Sequence, residues 1–485
     1  MKVSHTIIAV LILAVLGGVF YYLDKQPAPP SAEEAAKQKV FPFDAAQVEE
    51  FTIESPGVPA FTVRRASTGA ATGQPNAATG ESGDKAAAQP AATGWQITAP
   101  AEIAADTSEI ESFVGEIPKL QGTPVEGAGG GTPLEPSEYG LDTPQKTLKF
   151  QLRDGKTVAL AIGDQNITGS AKYAKLDSSP NVFLIETASA AVLDKTLFNL
   201  RDKRAIPLAV DQAQQIEVEF TAKEGPQAGR KTKLVLAKQQ DGNWRLTDPA
   251  VRTDYGSSNY FVTSLSGAVM SAVEEEAPAA IGRYGLNPPA IRLTVRLADG
   301  KSANLWVGNK AGDEAAYYAQ NSVWPQVFKI NQNTYDQFHQ QLDNYRNRYL
   351  FDFEATNARR VEIHSSNGDI RLDKRGPTSS EEWFRAGSPE AKVDAAKVEA
   401  FLNGVHALRV QQFTTDRPGQ LAQYGLNEPW MRVKITYGEN NAEETVVFAR
   451  HDNRFYAARD GEPSVYEMSP EEPNNLEPKV KDLTT

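Results

Sequence analysis

Three copies of one short motif constrain this chain more than any other feature. Tyr139-Gly140-Leu141-Asp142-Thr143-Pro144 recurs as Tyr284-Gly285-Leu286-Asn287-Pro288-Pro289 and as Tyr424-Gly425-Leu426-Asn427-Glu428-Pro429. With starts at 139, 284 and 424, the spacing is 145 and then 140 residues, about the size of a domain. A chain of 485 residues is too long for one core, so the repeat reads as three tandem modules. Hydrophobic residues at 40% and charged residues at 23% allow each module a core of its own.

The pattern inside each copy predicts an α+β module. Equivalent starts at Phe41-Pro42-Phe43, Ile206-Pro207-Leu208 and Phe351-Asp352-Phe353 each lead to an alternating strand at 51–53, 216–220 or 361–363. A second strand follows at Trp95, Trp244 or Trp383. Then comes a helix whose apolar stripe, Ile110, Phe113, Val114, Ile117 and Leu120, matches Val398, Phe401, Leu402, Val405 and Leu408. Asp106 and Asp394 are placed to cap these helices; copy two offers Val262, Leu265 and Val269 behind Ser258. After the Tyr-Gly-Leu motif, Asp154-Gly155 and Asp299-Gly300 predict two-residue type I′ hairpin turns, replaced in copy three by the longer 438–441 loop. Two more strands and a closing helix complete the unit. In copy three, Pro470, Pro473 and Pro478 predict a short or broken last helix.

The expected layout is an N-terminal transmembrane helix followed by three repeats of a mainly antiparallel β-sheet module with two helices each. Residues 7–23 carry no charge over 17 residues, ~26 Å as a helix and close to the ~30 Å hydrocarbon thickness. Lys2 before the stretch and Tyr21, Tyr22, Asp24 and Lys25 after it favour a cytoplasmic N-terminus with everything after Lys25 translocated. A cleaved signal peptide is the alternative, although Pro27, Pro29 and Pro30 stand where a small-residue cleavage site belongs. The segments are then 1–25 anchor, 26–40 stalk, 41–205 module one with a low-complexity insert at 66–94, 206–350 module two and 351–485 module three.

A net charge of −12, spread over the whole length, argues against nucleic acid as a partner, whose binding needs clustered Lys and Arg to displace phosphate counterions. The absence of cysteine removes disulfides, lipoprotein anchoring and thiolate metal sites. The five histidines form no His-x-x-x-His pair, and no nucleophile elbow or phosphate loop is present, so neither a catalytic set nor a metal or cofactor site is expected. Gly127-Ala128-Gly129-Gly130-Gly131 follows no strand pattern and reads as loop. Two kinds of residue remain as candidate partner or ligand surface. One is the basic cluster Arg201, Lys203 and Arg204, which alternatively complements helix-end carbonyls. The other is the set of tryptophans without counterparts in other copies: Trp306, Trp324 and Trp430. Tyr139, Tyr284 and Tyr424 read as turn braces, with three like binding points as the functional alternative.

The anchor, the repeated Tyr-Gly-Leu-x-x-Pro units, the Asp-Gly hairpin and the closing Arg201-Asp202-Lys203-Arg204 together resemble an uncharacterised bacterial domain-of-unknown-function family. Its members are membrane-anchored periplasmic proteins encoded beside the ATPase and permease of an ABC transporter and beside gliding-motility-like auxiliary components. The resemblance covers 41–485 and supplies no catalytic residue; copy three departs from it in lacking both Asp-Gly and the basic helix end. It implies a non-enzymatic accessory or scaffold of an ABC-type transport system, anchored by helix 7–23 beside a permease or auxiliary subunit. The rival expectations are an envelope glycan-binding protein or hydrolase using the three unmatched tryptophans, and a structural envelope spacer.

Overall fold

The computed structural model describes residues 38–66, 94–125, 135–221, 231–365, 368–376, 381–388, 390–416 and 418–483. The stretch 7–23, most of the stalk and of the insert, and the glycine run 127–131 lie outside them. Among the described residues no helix is long and apolar enough to cross a membrane. The described residues through Lys203 form one compact unit, and those from Arg204 onward form another that holds both the second and the third module.

In the first module the elements are β1 (Gln38–Lys39), β2 (Val48–Ser55), β3 (Val58–Arg65), β4 (Trp95–Ala99), α1 (Thr107–Glu116), β5 (Gln121–Pro124), β6 (Lys146–Leu152), β7 (Thr157–Gln165), β8 (Ala171–Leu176) and β9 (Val182–Glu186). Two single turns, α2 (Thr187–Ala190) and α3 (Leu197–Leu200), close it. The second runs β10 (Ala213–Thr221), β11 (Lys231–Lys238), β12 (Trp244–Asp248), α4 (Tyr255–Ser266), β13 (Ala272–Glu275), β14 (Ile291–Leu297), β15 (Ser302–Lys310), β16 (Ala316–Asn321), β17 (Val327–Asn331) and α5 (Gln332–Phe338). The third runs β18 (Ala358–Ser365), β19 (Gly368–Arg375), β20 (Glu382–Arg385), β21 (Lys392–Val393), α6 (Ala395–His406), β22 (Val410–Thr415), β23 (Met431–Tyr437), β24 (Ala442–His451), β25 (Arg454–Arg459), β26 (Val465–Met468) and α7 (Glu471–Asp482).

All three sheets share one order. In the second it is β12-β11-β10-β14-β15-β16-β17-β13; the first is the same with β1 added beyond β5, and the third the same with β21 added beyond β20. Neighbouring strands are antiparallel throughout. The tryptophan strand therefore lies at or beside one edge and the strand after the helix at or beside the other, so the helix crosses the whole sheet on one face. The eight strands common to all repeats exceed the six expected from the sequence. The extra ones are the partner of the first strand (β3, β11, β19) and the strand that follows the crossing helix (β5, β13, β22).

The crossing helix forms because an N-cap aspartate satisfies its free amides: Asp106 accepts from Glu109 N, Asp254 from Ser257 N and Asp394 from Ala396 N. Its apolar stripe then covers the sheet. Ile110, Phe113 and Val114 pack with Phe51, Trp95 and Phe150, the Phe51 and Phe113 rings 5.1 Å apart. In copy two the cap is Asp254, four residues before the expected Ser258, and this shifts the stripe. Ser258 aligns with Ile110 and Val398 and is fully buried with its hydroxyl unpartnered, whereas Val269, expected in the core, is 47% exposed. A serine in the core register resembles a cap to any reading of local pattern.

Two further expectations are corrected. The Asp-Gly hairpins are not type I′ turns: Gly155 N donates to Leu152 O, Leu152 N to Lys156 O, and only Gly155 takes positive φ, at +81°. This is a type I turn closed by a left-handed bulge glycine, and Leu297–Gly300 repeats it. The last helix, α7, is neither short nor broken but 12 residues long. Pro470 is its N-cap and Pro473 lies in the first turn, where amides lack helical partners anyway. Pro478 removes one bond, and burial of Leu476, Val480 and Leu483 holds the helix against the core around α6.

Candidate functional site

The repeated motif turns out to brace the sheet face opposite the helix. A 3-10 turn ends at each tyrosine, and the next glycine takes the left-handed conformation, φ +66°, +69° and +70° at Gly140, Gly285 and Gly425. Leu141, Leu286 and Leu426 are buried. The tyrosine rings meet Tyr173, Tyr318 and Tyr456 from the third strand of the meander at 4.7, 4.8 and 4.9 Å with near-identical tilts. A second glycine, unmarked in the sequence reading, makes room for this turn. A Cβ on Gly163 would lie 2.1 Å from Tyr139 O, and one on Gly308 2.2 Å from Tyr284 O. Copy three has Ala449 here, and its turn stands off: the nearest atom to a Gly425 Cβ is 3.5 Å away. Tyr284 further donates its hydroxyl to Glu275 at 2.8 Å. All three tyrosines thus brace the turn against the meander, Tyr284 buried and Tyr139 and Tyr424 half-buried.

The basic cluster is not one surface. Arg201 is buried at 1% exposure, Lys203 reaches back to Asn199 O at 2.8 Å and stands 3.7 Å from Asp106, and Arg204 alone is exposed. The tryptophans do not form open platforms either. Trp324 is 6% exposed; Trp306 and Trp430 are half-buried against satellite and main core respectively, Trp430 under the Arg450 guanidinium at 4.5 Å.

The densest polar constellation instead lies where the second module meets the third. The strap joining them is tied at both ends: Asp254 N donates to Tyr345 O (2.8 Å) and Asn347 N to Arg252 O (3.1 Å) on one side, and Val410 N donates to Arg348 O (2.8 Å) on the other. Arg346, 5% exposed, aligns with Arg201 in the repeat. It grips Asp416 through two nitrogens at 2.7 and 3.1 Å, donates to Ser464 Oγ at 2.9 Å and stacks on Phe413 at 3.9 Å. Arg252, from the second module, pairs with Asp352 and stands 3.4 Å from Glu462, both of the third. Arg459 donates to Glu462 at 2.8 Å and lies 3.7 Å from the buried Glu444. Each charge in this layer faces its opposite, which is what lets charges be buried at all.

Burial and the Glu444 carboxylate push the Tyr437 hydroxyl up to about 12, and burial likewise raises Tyr466 beside Glu462. Both phenols stay protonated at neutral pH and act as donors to those carboxylates, at 2.7 and 2.5 Å. Above the layer opens a cleft of about 660 Å³, walled by Arg245, Arg252 and Tyr255 from one module and Asp352, Glu462 and Ser464 from the other. Among the described residues no group of three or more His, Asp or Glu side chains could hold a metal ion. What the arrangement does chemically is fix two sheets and leave a cleft of mixed polar and apolar lining between them.

Fold and joint together define an array of homologous antiparallel α+β modules. The chain belongs to a family described as a domain of unknown function (DUF4340), whose model matches residues 95–265, 244–383 and 383–484. Each match begins at the tryptophan strand, and the first two continue past the end of their own sheet into the next module, so the family's frame spans the strap that links modules. No curated protein and no solved structure matches the chain.

Proposed function

We propose that this protein is a non-enzymatic, membrane-anchored periplasmic scaffold of an ABC-type transport system, its residues 7–23 seated beside the permease. The observation that carries the scaffold part is the joint between the second and third modules. A strap hydrogen-bonded at both ends and a buried Arg346–Asp416–Ser464 cluster hold two domains in one orientation, as a rigid arm requires and a tethered pair of independent binding domains does not. The uncharged 7–23 stretch supports the anchor, and the resemblance described above supports the transporter partner. The glycan-binding reading through Trp306, Trp324 and Trp430 has less support, because Trp324 is buried and Trp306 and Trp430 are half-buried against the cores.

The test is purification of the full-length protein from native membranes in mild detergent, with co-purifying proteins identified by mass spectrometry. A permease and ATPase should be recovered in stoichiometric amounts and lost when residues 1–23 are exchanged for an unrelated anchor. Recovery of the protein without a permease and ATPase overturns the proposal.

A further inference from the structure

The cleft above the joint has a chemistry of its own. Its volume, about 660 Å³, falls in the ~300–1,000 Å³ range of small-molecule sites. Its charged groups are already matched: Arg245 donates to Asp241 at 3.0 Å, and Arg252 is held by Asp352 and Glu462. An anionic ligand would have to displace carboxylates from Arg252, and a cationic one would have to displace guanidinium from Asp352, so neither is favoured. An extended peptide has no place either. The free edge of β12 is closed by side chains, since Trp244 N donates to Asn259 Oδ1 at 3.3 Å and Leu246 N to Thr253 Oγ1 at 2.9 Å.

Much hydrogen-bonding capacity remains unused. Arg245 carries five N–H groups, of which Asp241 takes one, and its side chain is 45% exposed; the Asp352 carboxylate is equally open. A hydroxyl both donates and accepts, so it can satisfy a guanidinium and a carboxylate side by side without disturbing their pairing. The Tyr255 ring, 41% exposed, lines the same cleft, with the Arg245 guanidinium over it at 5.1 Å from its centre. An aromatic surface beside paired planar polar groups suits the alternating C–H and O–H faces of a sugar ring.

We propose that the cleft between the second and third modules binds a short neutral oligosaccharide, held by Tyr255 and Arg245 on one wall and Asp352 on the other. The ligand site exists only while the joint is closed, because the two walls belong to different modules.

The experiment is saturation-transfer NMR on the full chain in mild detergent, with maltotetraose, cellotetraose and chitotetraose each offered at millimolar concentration, and with tetra-alanine and inorganic phosphate as comparison probes. At least one tetrasaccharide should receive saturation, and its affinity should fall by about tenfold or more in Tyr255→Ala and in Arg245→Gln. It should be unchanged in Tyr260→Ala, whose exposed ring lines a separate groove on α4. Thermal melting of each variant separates lost binding from lost folding, and Arg245→Gln carries the test if Tyr255→Ala melts early. Silence from all three sugars, binding that survives both cleft substitutions, or phosphate or tetra-alanine competing for the cleft would overturn the proposal.

Discussion

Removing the Arg346 side chain should open the joint between the second and third modules. The guanidinium is 5% exposed and makes two charge-assisted bonds to Asp416 and one to Ser464, each worth up to about 1.5–3 kcal/mol when desolvated. Asp416 is 33% exposed, so water recovers part of its loss, and the ring contact with Phe413 adds a packing contribution. Arg346→Ala should therefore cost about 3 kcal/mol. Asp416→Ala should cost a similar amount, because the guanidinium would keep only Asp343, at 3.8 Å, as a counter-charge. The double variant should cost about 2 kcal/mol less than the sum, since each single change already breaks the shared bonds. Hydrogen exchange of the full chain reads this directly at the amides of Asn347 and Val410, which donate across the strap. A 3 kcal/mol loss accelerates their exchange by about a hundredfold at 1.36 kcal/mol per decade. If the two single effects add to within about 0.5 kcal/mol, or if these amides keep wild-type protection, the buried pair does not lock the joint.

The remaining expectations concern the modules singly. Gly163→Ala and Gly308→Ala should each destabilise by about 3 kcal/mol or more in thermal melts, because the new Cβ falls inside the contact distance of a motif carbonyl; Ala449→Gly, where that space already exists, should cost about 1 kcal/mol. Ser258→Ala should raise stability by about 1 kcal/mol by deleting a buried hydroxyl without a partner, and a loss of stability would show that the hydroxyl is satisfied in solution. For Asp194, burial pushes the carboxyl up, but the hydrogen bonds and charges of Lys146 and Lys172 outweigh it and hold it below the usual 3.8. Its folded value is the lower one, so its stabilisation is present above about pH 3.8 and lost as pH falls through the folded value. The melting difference between wild type and Asp194→Asn should accordingly be flat near neutrality and close in acid; a difference that widens in acid contradicts the assignment.

The repeat, the Asp106 and Asp394 caps and the apolar stripes were legible because each is a local pattern that the fold satisfies three times. The strands β5 and β13 were not: Gln-Gly-Thr-Pro and Ala-Val-Glu-Glu carry no alternation, and they pair only because the crossing helix delivers them to the far side of the sheet. The joint was half legible. Arg201 and Arg346 occupy one repeat position, a signal visible in the sequence, but the partner of Arg346 lies 70 residues away and no periodicity points to it. Gly163 and Gly308 also left a trace, a glycine inside an otherwise apolar strand, which marks a close backbone approach. The cleft left none, since its two walls meet only after both sheets have formed.

In the second module the chain enters tied to one end of α4 and leaves tied to the other. Arg204 bridges Val269 just past the C-terminal end, and Arg346 bridges Thr253 just before the N-terminal end. A pull applied between the neighbours of this module is therefore borne along a 12-residue helix, ~18 Å long, and through the two bridges that clasp it. The entering chain is also tied to the sheet, Asn321 Nδ2 at the end of β16 donating to Ala205 O at 3.1 Å, so that strand shares the load at this end. Such a part transmits tension as a link in a chain does, through the clasps at its two ends.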